Sequence, residues 1–442
     1  MSEFPLKKAI SEYAGKHPAR FHMPGHKGSV SVFDVTEITG TDNLHFPSGA
    51  ILESERLCAE ALGAADAHFL VNGSTAGNFA MLSLLPPQSR VLLGRNCHRS
   101  VINGLALTGH ECFGIFPDSE GIITAEQVAD ALDKHPCDAV FITSPTYRGA
   151  VCPIDGIASA AHERGALLFV DCAHGAHFAF SDRLPPVPSH ADAWCVSTHK
   201  TLAALTQTAV LLTGRSLNKT RWEVERALDP YQTTSPSYEL MLSIESAVLA
   251  PDDWDKHVER ILGIRKKLAS IPRIRVVGSG DGVAGDPTRI VITAEGMSGY
   301  ALSAHLERLN VFPEMADSEA VTLITTPRDP DEWYDMLINA LADLPESTSA
   351  RPFPAFRSGD EAGAFVGVRE AVMGKAELVP LSGSVGRICS CAAGCYPPGT
   401  AVLFPGERIS KDAVDFLSEA RLVGAELFGL FDEMAAVLKE DE

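Results

Sequence analysis

Residues 191–212, ADAWCVSTHKTLAALTQTAVLL, decide how the rest of the chain is read. The apolar flanks have the composition of strands entering and leaving a buried turn, and Lys200 stands in that turn behind Ser197, Thr198 and His199. Lysines belong on surfaces, because burying an ammonium is costly or lowers its pKa toward neutrality. An amine with a lowered pKa is a nucleophile. The two hydroxyls and the imidazole beside it offer hydrogen bonds to an anion such as a phosphate, so the turn suits covalent capture of a phosphorylated aldehyde. Taken alone, the tetrapeptide fits a surface lysine in a polar loop better. The neighbouring motifs have to decide.

Upstream of this stretch, strand-like apolar runs alternate with helical patterns. HFLVNGSTAGNFAMLSLL (68–85), RVLLGRNCHRSVINGLALTG (90–109), DAVFITSPTYRGAVCPIDGIASAAHERG (138–165) and ALLFVDCAHGAHFAF (166–180) each carry a β-rich run that ends in polar, turn-forming residues. Repeated strand and helix units predict an α/β fold with a mainly parallel sheet, buried on both faces, and a site at the carboxyl ends of its strands. The polar residues after each run should therefore converge: His98, Ser144 to Arg148, Asp171 to His174, and Ser197 to Lys200.

Each of these has a role in one chemistry. The N–H groups of Ser74, Thr75 and Ala76 at a helix start, with two hydroxyls beside them, make a phosphate cradle. Asp171, directly after a strand, can pair with a protonated pyridine nitrogen and keep it cationic, while the ring of His98 can stack on a cofactor face. With Lys200, these groups describe a site for pyridoxal phosphate. Singly, Ser74 and Asp171 also read as helix caps and His98 as a loop histidine. His174 and His177 with Cys172 suggest zinc more weakly, as do Cys389, Cys391 and Cys395, which lack a nearby fourth ligand. No metal is expected.

Composition bounds the rest. The 442 residues, 45% hydrophobic and 21% charged, exceed one compact core and predict two or three structural units. A formal charge of −20 argues against nucleic acid or an anionic membrane as partner. Ten scattered cysteines, no secretory leader and no membrane-length run fit a cytoplasmic protein with reduced thiols. The breaker-rich residues 1–52 read as an arm, 53–250 as the large domain, 251–345 as a small α+β domain and 346–442 as a C-terminal region. A helix is expected over 359–373, and helices again over KDAVDFLSEARLVGAELFGLFDEMAAVL at 411–438.

FHMPGHKG (21–28), DNLHFPSG (42–49), VNGSTAGN (71–78), NCHRS (96–100), SPTYRG (144–149), DCAHGAHF (171–178), STHKTLAALTQTAVL (197–211), QTTSPSYELMLSIESA (232–247) and YPPGTAVLFPGE (396–407) resemble the bacterial ornithine/lysine/arginine decarboxylases, nearly end to end. The resemblance implies a fold type I pyridoxal-phosphate-dependent large domain followed by a smaller α+β domain. The length is that of the short form, without a receiver-like N-terminal domain. It also implies that Lys200 binds the cofactor covalently, Asp171 meets the pyridine nitrogen and His98 stacks on the ring. Ser74, Thr75, Ala76, Ala173, His174, Ser197 and His199 would complete the cofactor site, with Lys200 or His199 returning the proton. The implied assembly is a homodimer or higher homo-oligomer with the site at the subunit boundary, in which Asp42 to Leu44 complete a neighbour's pocket.

The sequence departs from that family's pattern at Cys172 (usually Glu), Arg148 (usually Tyr), Val196 (usually Gln) and Cys391 (usually Glu). Losing acids and gaining an arginine changes the charge a pocket prefers. Tyr147, Arg148, Arg387 and Cys391 are the substrate-side candidates, Arg387 for a carboxylate or else as an inter-domain ion pair. Decarboxylation of arginine, lysine or ornithine is the leading expectation. A pyridoxal-phosphate aminotransferase, lyase or cyclase is the alternative on the same site, and an inert regulatory subunit the alternative outside catalysis.

Overall fold

The computed structural model describes residues 4–278, 285–345, 366–396 and 399–439. Seven strands form the central sheet: β1 (Asp66–Leu70), β2 (Arg90–Gly94), β3 (Glu111–Ile115), β4 (Ala139–Thr143), β5 (Leu167–Asp171), β6 (Ala193–Val196) and β7 (Ala209–Thr213). Their order across the sheet is β1-β7-β6-β5-β4-β2-β3, and only β7 runs antiparallel to its neighbours. Strand residues alternate between two cores. Leu168 and Val170 belong to the layer with Tyr238 and Trp254, whereas Phe169 joins Phe141, Leu105 and Met81 on the other face. A sheet covered on both faces needs continuous apolar strands, as the sequence has.

The chain leaves β1, crosses to the far edge and returns strand by strand. Loops after β1, β2, β4, β5 and β6, with the start of antiparallel β7, consequently share one end of the sheet. That end holds the site.

Residues 1–52 contain a helix that the sequence reading missed, α1 (Pro5–Gly15), and α2 (Ala50–Ala61) starts within them. Leu6 and Ile10 of α1 are fully buried. The helix lacks a side-chain cap at its own start. Glu245, on the distant helix Tyr238–Leu249, supplies one by accepting the N–H of Leu6 at 2.8 Å and of Lys7 at 2.9 Å while Ser54 Oγ also donates to it. Glu245→Ala should weaken this docking by about 3 kcal/mol, the worth of hydrogen bonds to one buried charge. Faster proteolysis of the arm at unchanged core melting would show it; an arm as resistant as before would count against it.

The helix Trp254–Ala269 joins two cores: Trp254 and Val258 pack below the large sheet, Ile261, Ile264 and Leu268 in the next unit. That unit is a four-stranded antiparallel sheet of β8 (Ile274–Val277), β9 (Arg289–Ala294), β10 (Met315–Ala316) and β11 (Val321–Ile324), covered by helices Gly299–Arg308 and Asp331–Ala342. A further core around Leu381, Leu403, Leu417 and Val437 marks the C-terminal unit.

Two expectations are corrected there. The helix expected over 359–373 occupies Val368–Met373, because Gly367 is extended; the positions before 366 lie outside the described residues, as does most of the connection at 344–363. Of the segment 411–438 only Lys411–Leu422 is helical. Gly424 and Gly429 take φ of +94° and +78°, and Asp432 and Glu433 turn a hairpin between Leu430–Phe431 and Met434–Leu438. Positive φ ends a helix, and the burial of MAAVL alternates as a strand requires.

Candidate active site

Lys200 lies in a single helical turn, Thr198–Thr201, between β6 and β7, as the flanking apolar runs suggested. Its Nζ is 3.0 Å from His174 Nε2 and 5.6 Å from the ring centre of Tyr147, whose ring packs against that of His174 at 4.3 Å. Burial lowers the pKa of the amine, with Asp171 and Glu314 pulling it up and Arg289 pushing it further down. The amine is therefore more nucleophilic than a surface lysine.

Asp171 is the last residue of β5 and is buried. Asn78 Nδ2 donates to its Oδ2 at 2.9 Å and the Ala173 N–H to its Oδ1 at 3.2 Å. Asn78 also donates to Ser100 Oγ at 2.9 Å, and Ser100 Oγ is 2.9 Å from His98 Nδ1. One polar chain thus sets both the carboxylate and the imidazole that the sequence assigned to a cofactor ring. His98 is the N-cap of the helix Arg99–Thr108, and burial lowers its pKa. Against it lies the C-terminal unit: His98 bridges to Thr400, and a Cβ at Gly399, whose φ is +83°, would sit 3.6 Å from His98 Cδ2. Gly399 and Thr400 therefore back His98 from another part of the chain.

Ser74, Thr75 and Ala76 form the first turn of the helix Gly73–Ser83, which has no side-chain cap because Asn72 Oδ1 accepts the Thr233 N–H instead. That turn abuts the end of β6, with Cys195 Sγ 3.8 Å from the Ser74 carbonyl. Ser197 Oγ is buried without a partner among the described residues. Free N–H groups at a helix start and an orphaned hydroxyl suit an anion. His199 donates from Nδ1 to the Thr208 carbonyl at 2.8 Å, and burial lowers its pKa, so the neutral ring presents a bare Nε2. Amine, anion cradle, carboxylate and flat ring together fit pyridoxal phosphate.

The substrate-side candidates are placed differently. Arg148 crosses to the small unit, donating to Asp317 Oδ2 from Nη2 at 2.6 Å and from Nε at 3.1 Å, with Glu319 at 3.7 Å. Arg387 binds Glu377 at 2.7 Å and the Leu438 carbonyl at 2.9 Å within the C-terminal unit. Both guanidinium groups are committed to the protein's own acceptors. Cys391 is half-buried, its thiol pKa raised by burial, and Cys172 is buried with its thiol pKa raised likewise. Neutral thiols stand where the resemblance implied carboxylates. Val196 is part of the core.

Sequence reasoning missed three residues. Asn78 lies one turn beyond the phosphate cradle and reads as any helix polar residue. Arg289 opens β9, fully buried, with Nη2 3.0 Å from His174 Nδ1 and with Nε and Nη1 unpartnered among the described residues. An arginine opening an otherwise apolar buried strand, DPTRIVIT, was the available sign. Glu314 stands at the rim; solvent reaches the residue, yet crowding around its carboxyl raises its pKa, opposed by Arg289 and Lys200. Next to this group, His177 pairs with Asp286 at 3.0 Å, both fully buried, clamping the loop after β5 to the small unit.

Comparison with known proteins agrees with this geometry. The Orn/Lys/Arg decarboxylase major-domain family matches residues 4–279, and the C-terminal domain of the same family matches 364–442. The uncharacterized Bacillus subtilis protein YaaO is 32% identical over 94% of this chain and 93% of its own. An arginine decarboxylase of Bacillus subtilis is 28% identical over 100% of this chain and 99% of its own. The constitutive lysine decarboxylase of Escherichia coli superposes with a TM-score of 0.82 at 19% identity, covering 99% of this chain and 82% of that one. An alanine–glyoxylate aminotransferase from Nostoc sp. superposes less closely, TM-score 0.55 at 17% identity over 66% of this chain and 86% of that one, as expected for a shared fold type I core. With both family domains matched and a site that fits the cofactor, the chain belongs to the Orn/Lys/Arg decarboxylase family of pyridoxal-phosphate-dependent amino-acid decarboxylases.

Proposed function

We propose that the protein removes CO2 from arginine, lysine or ornithine and releases the corresponding amine. The observation that carries this reading is the half-buried Lys200, its amine 3.0 Å from His174 and sharing its electrostatic environment with both Asp171 and the rim carboxylate Glu314. Pyridoxal phosphate, bound there, supplies a ring that accepts the electron pair left as CO2 departs. The chain's own residues do the remainder. Asp171, held by Asn78 and the Ala173 N–H, would meet the ring nitrogen of the bound cofactor, and Ser74 to Ala76 with Ser197 would hold its phosphate. His98, with Gly399 and Thr400 packed against it, would cover one face of the bound ring. Lys200 would hold the cofactor until the substrate amine replaces it and would then return a proton from Nζ to Cα, with the bare Nε2 of His199 as the second proton carrier.

Glu314 offers a carboxylate to a cationic side chain at the mouth of the site. Glu314→Gln should raise KM for a cationic substrate about tenfold, the equivalent of about 1.4 kcal/mol, with kcat little changed. An unchanged KM would remove Glu314 from substrate recognition. The reaction itself is tested by incubating the purified holoenzyme with a panel of amino acids. CO2 and amine from one of the three basic substrates are expected; a keto acid or an eliminated product would replace this reading with the transaminase or lyase alternative.

The assembly proposed is a dimer of two copies. Phe21 is 97% exposed, Val30 81% and Phe46 76%, with Met23 and Val32 beside them in sequence also exposed. Apolar side chains so exposed on one arm are commonly covered by a partner, and Asp42 to Leu44 would then lie at the boundary. A native mass twice that of one chain is expected, and a stable monomer would exclude it.

A further inference from the structure

We infer that Arg289 is a positioning residue that fixes the protonation of His174, and that His174 in this form holds Lys200 as a free amine ready to attack an aldehyde. The inference rests on the assignment of Lys200 as the residue that captures the cofactor.

A guanidinium has N–H donors, no acceptor and a permanent charge. Arg289 Nη2 lies 3.0 Å from His174 Nδ1, so Nδ1 accepts and carries no proton. A neutral imidazole has one N–H, which must then be on Nε2. That atom is 3.0 Å from Lys200 Nζ. Nε2–H donates, Nζ accepts through its lone pair, and Lys200 is held as the uncharged amine. The reverse arrangement, an ammonium donating to a bare Nε2, needs a proton on Nδ1 and would set it against the Arg289 N–H. A doubly protonated ring would place a third cation between Arg289 and Lys200 in a buried space. Burial, and beside it the permanent Arg289 charge, push the His174 pKa far down.

Arg289 is itself held in place. A Cβ at Gly149, where φ is +91°, would lie 2.7 Å from Arg289 Cγ, so only glycine lets that loop pass. Three residues before Arg289, Asp286 binds buried His177 and accepts from Thr288 Oγ1 at 2.6 Å. The small unit thus reaches across the cleft to set a proton in the large one. In the capture step the Nζ lone pair forms a C–N bond to the aldehyde carbon, and the aldehyde oxygen leaves as water with the two amine protons; His174 keeps its own.

The test follows cofactor capture. Full-length protein is stripped of pyridoxal phosphate, mixed with it again at neutral to alkaline pH, and timed by the rise of the yellow absorbance. The Lys200 amine also faces Asp171, Glu314, Cys195, His98 and Tyr147, whose influence is common to every variant compared. Wild type and Arg289→Lys, which keeps a cationic donor, should capture at rates nearly independent of pH. Arg289→Met should be slower by about tenfold or more near neutrality, gain about tenfold per pH unit as free amine forms, and meet the wild type in alkali. A wild-type profile in Arg289→Met overturns the inference. So does equal slowing at every pH, the mark of a merely structural role. Should Arg289→Met not fold, 15N spectra of histidine-labelled wild type decide: a proton on His174 Nε2 supports the assignment and one on Nδ1 ends it. An error in the Lys200 assignment shows separately, as a wild type in which borohydride fixes no cofactor to Lys200.

Discussion

Lys200→Met is expected to lower kcat/KM on the order of 10^4-fold or more and to abolish the borohydride-fixable yellow colour, while the cofactor-free protein folds at least as stably as cofactor-free wild type. The first two losses have one cause: methionine fills the same space but has no amine to bind the cofactor or to carry a proton. The third outcome follows from burial. The folded protein holds the Lys200 amine with a lowered pKa. Below that value both folded and unfolded chains carry the proton, and the folded state bears the full penalty of a buried ammonium. Between the folded and unfolded values the penalty fades as pH rises, and above the unfolded value it is gone. Methionine removes it at every pH, so the gain in melting temperature over cofactor-free wild type should be largest at low pH. A variant that keeps colour and turnover would end the Lys200 assignment. One that merely unfolds would show that the lysine supports structure.

The parts of this site that were legible in the sequence are those written in a few consecutive residues. A strand, a Gly-Ser-Thr turn and a helix give the cradle at 73–76; a strand ending in Asp171 and two strands around Lys200 give the rest, because period and turn chemistry are local. Contacts between distant segments left no such mark. Glu245 reads as one more polar residue of its own helix, yet it caps a helix at the other end of the chain. Asn78 and Ser100 become a relay to Asp171 and His98 only once two helix starts meet. Arg289 enters from the small unit, more than a hundred residues from His174. The apolar spacing at 430–438 also fits a helix packed on a core, and the pairing of Met434–Leu438 with Ala376–Pro380 decides for strand.

Asp171→Asn should leave the colour and remove the activity, the opposite pairing of effects from a general loss of fold. Lys200 is untouched, so covalent capture continues. What disappears is the negative charge beside the ring nitrogen, and a preorganised electrostatic partner of this kind is worth on the order of 10^3-fold in kcat. The substitution is nearly isosteric, but the donors around it are not neutral to the change. Asp171 accepts from Asn78 Nδ2 on one oxygen and from the Ala173 N–H on the other. An asparagine can satisfy only one of them, and its own NH2 then faces a donor. Asn78→Ala tests that half separately: it keeps the charge, loses one hydrogen bond of about 1.5 kcal/mol and should cost roughly tenfold. A pH effect distinguishes charge from geometry. Asp171 raises the Lys200 pKa against the lowering by burial, so in cofactor-free Asp171→Asn the amine should titrate lower still, whereas in Asn78→Ala it should stay near the wild-type value. Labelling of Lys200 as a function of pH reads this directly. If Asp171→Asn turns over within a few-fold of wild type, or if its amine titrates higher, the carboxylate is a structural cap on the loop after β5 and the electron-sink role belongs elsewhere.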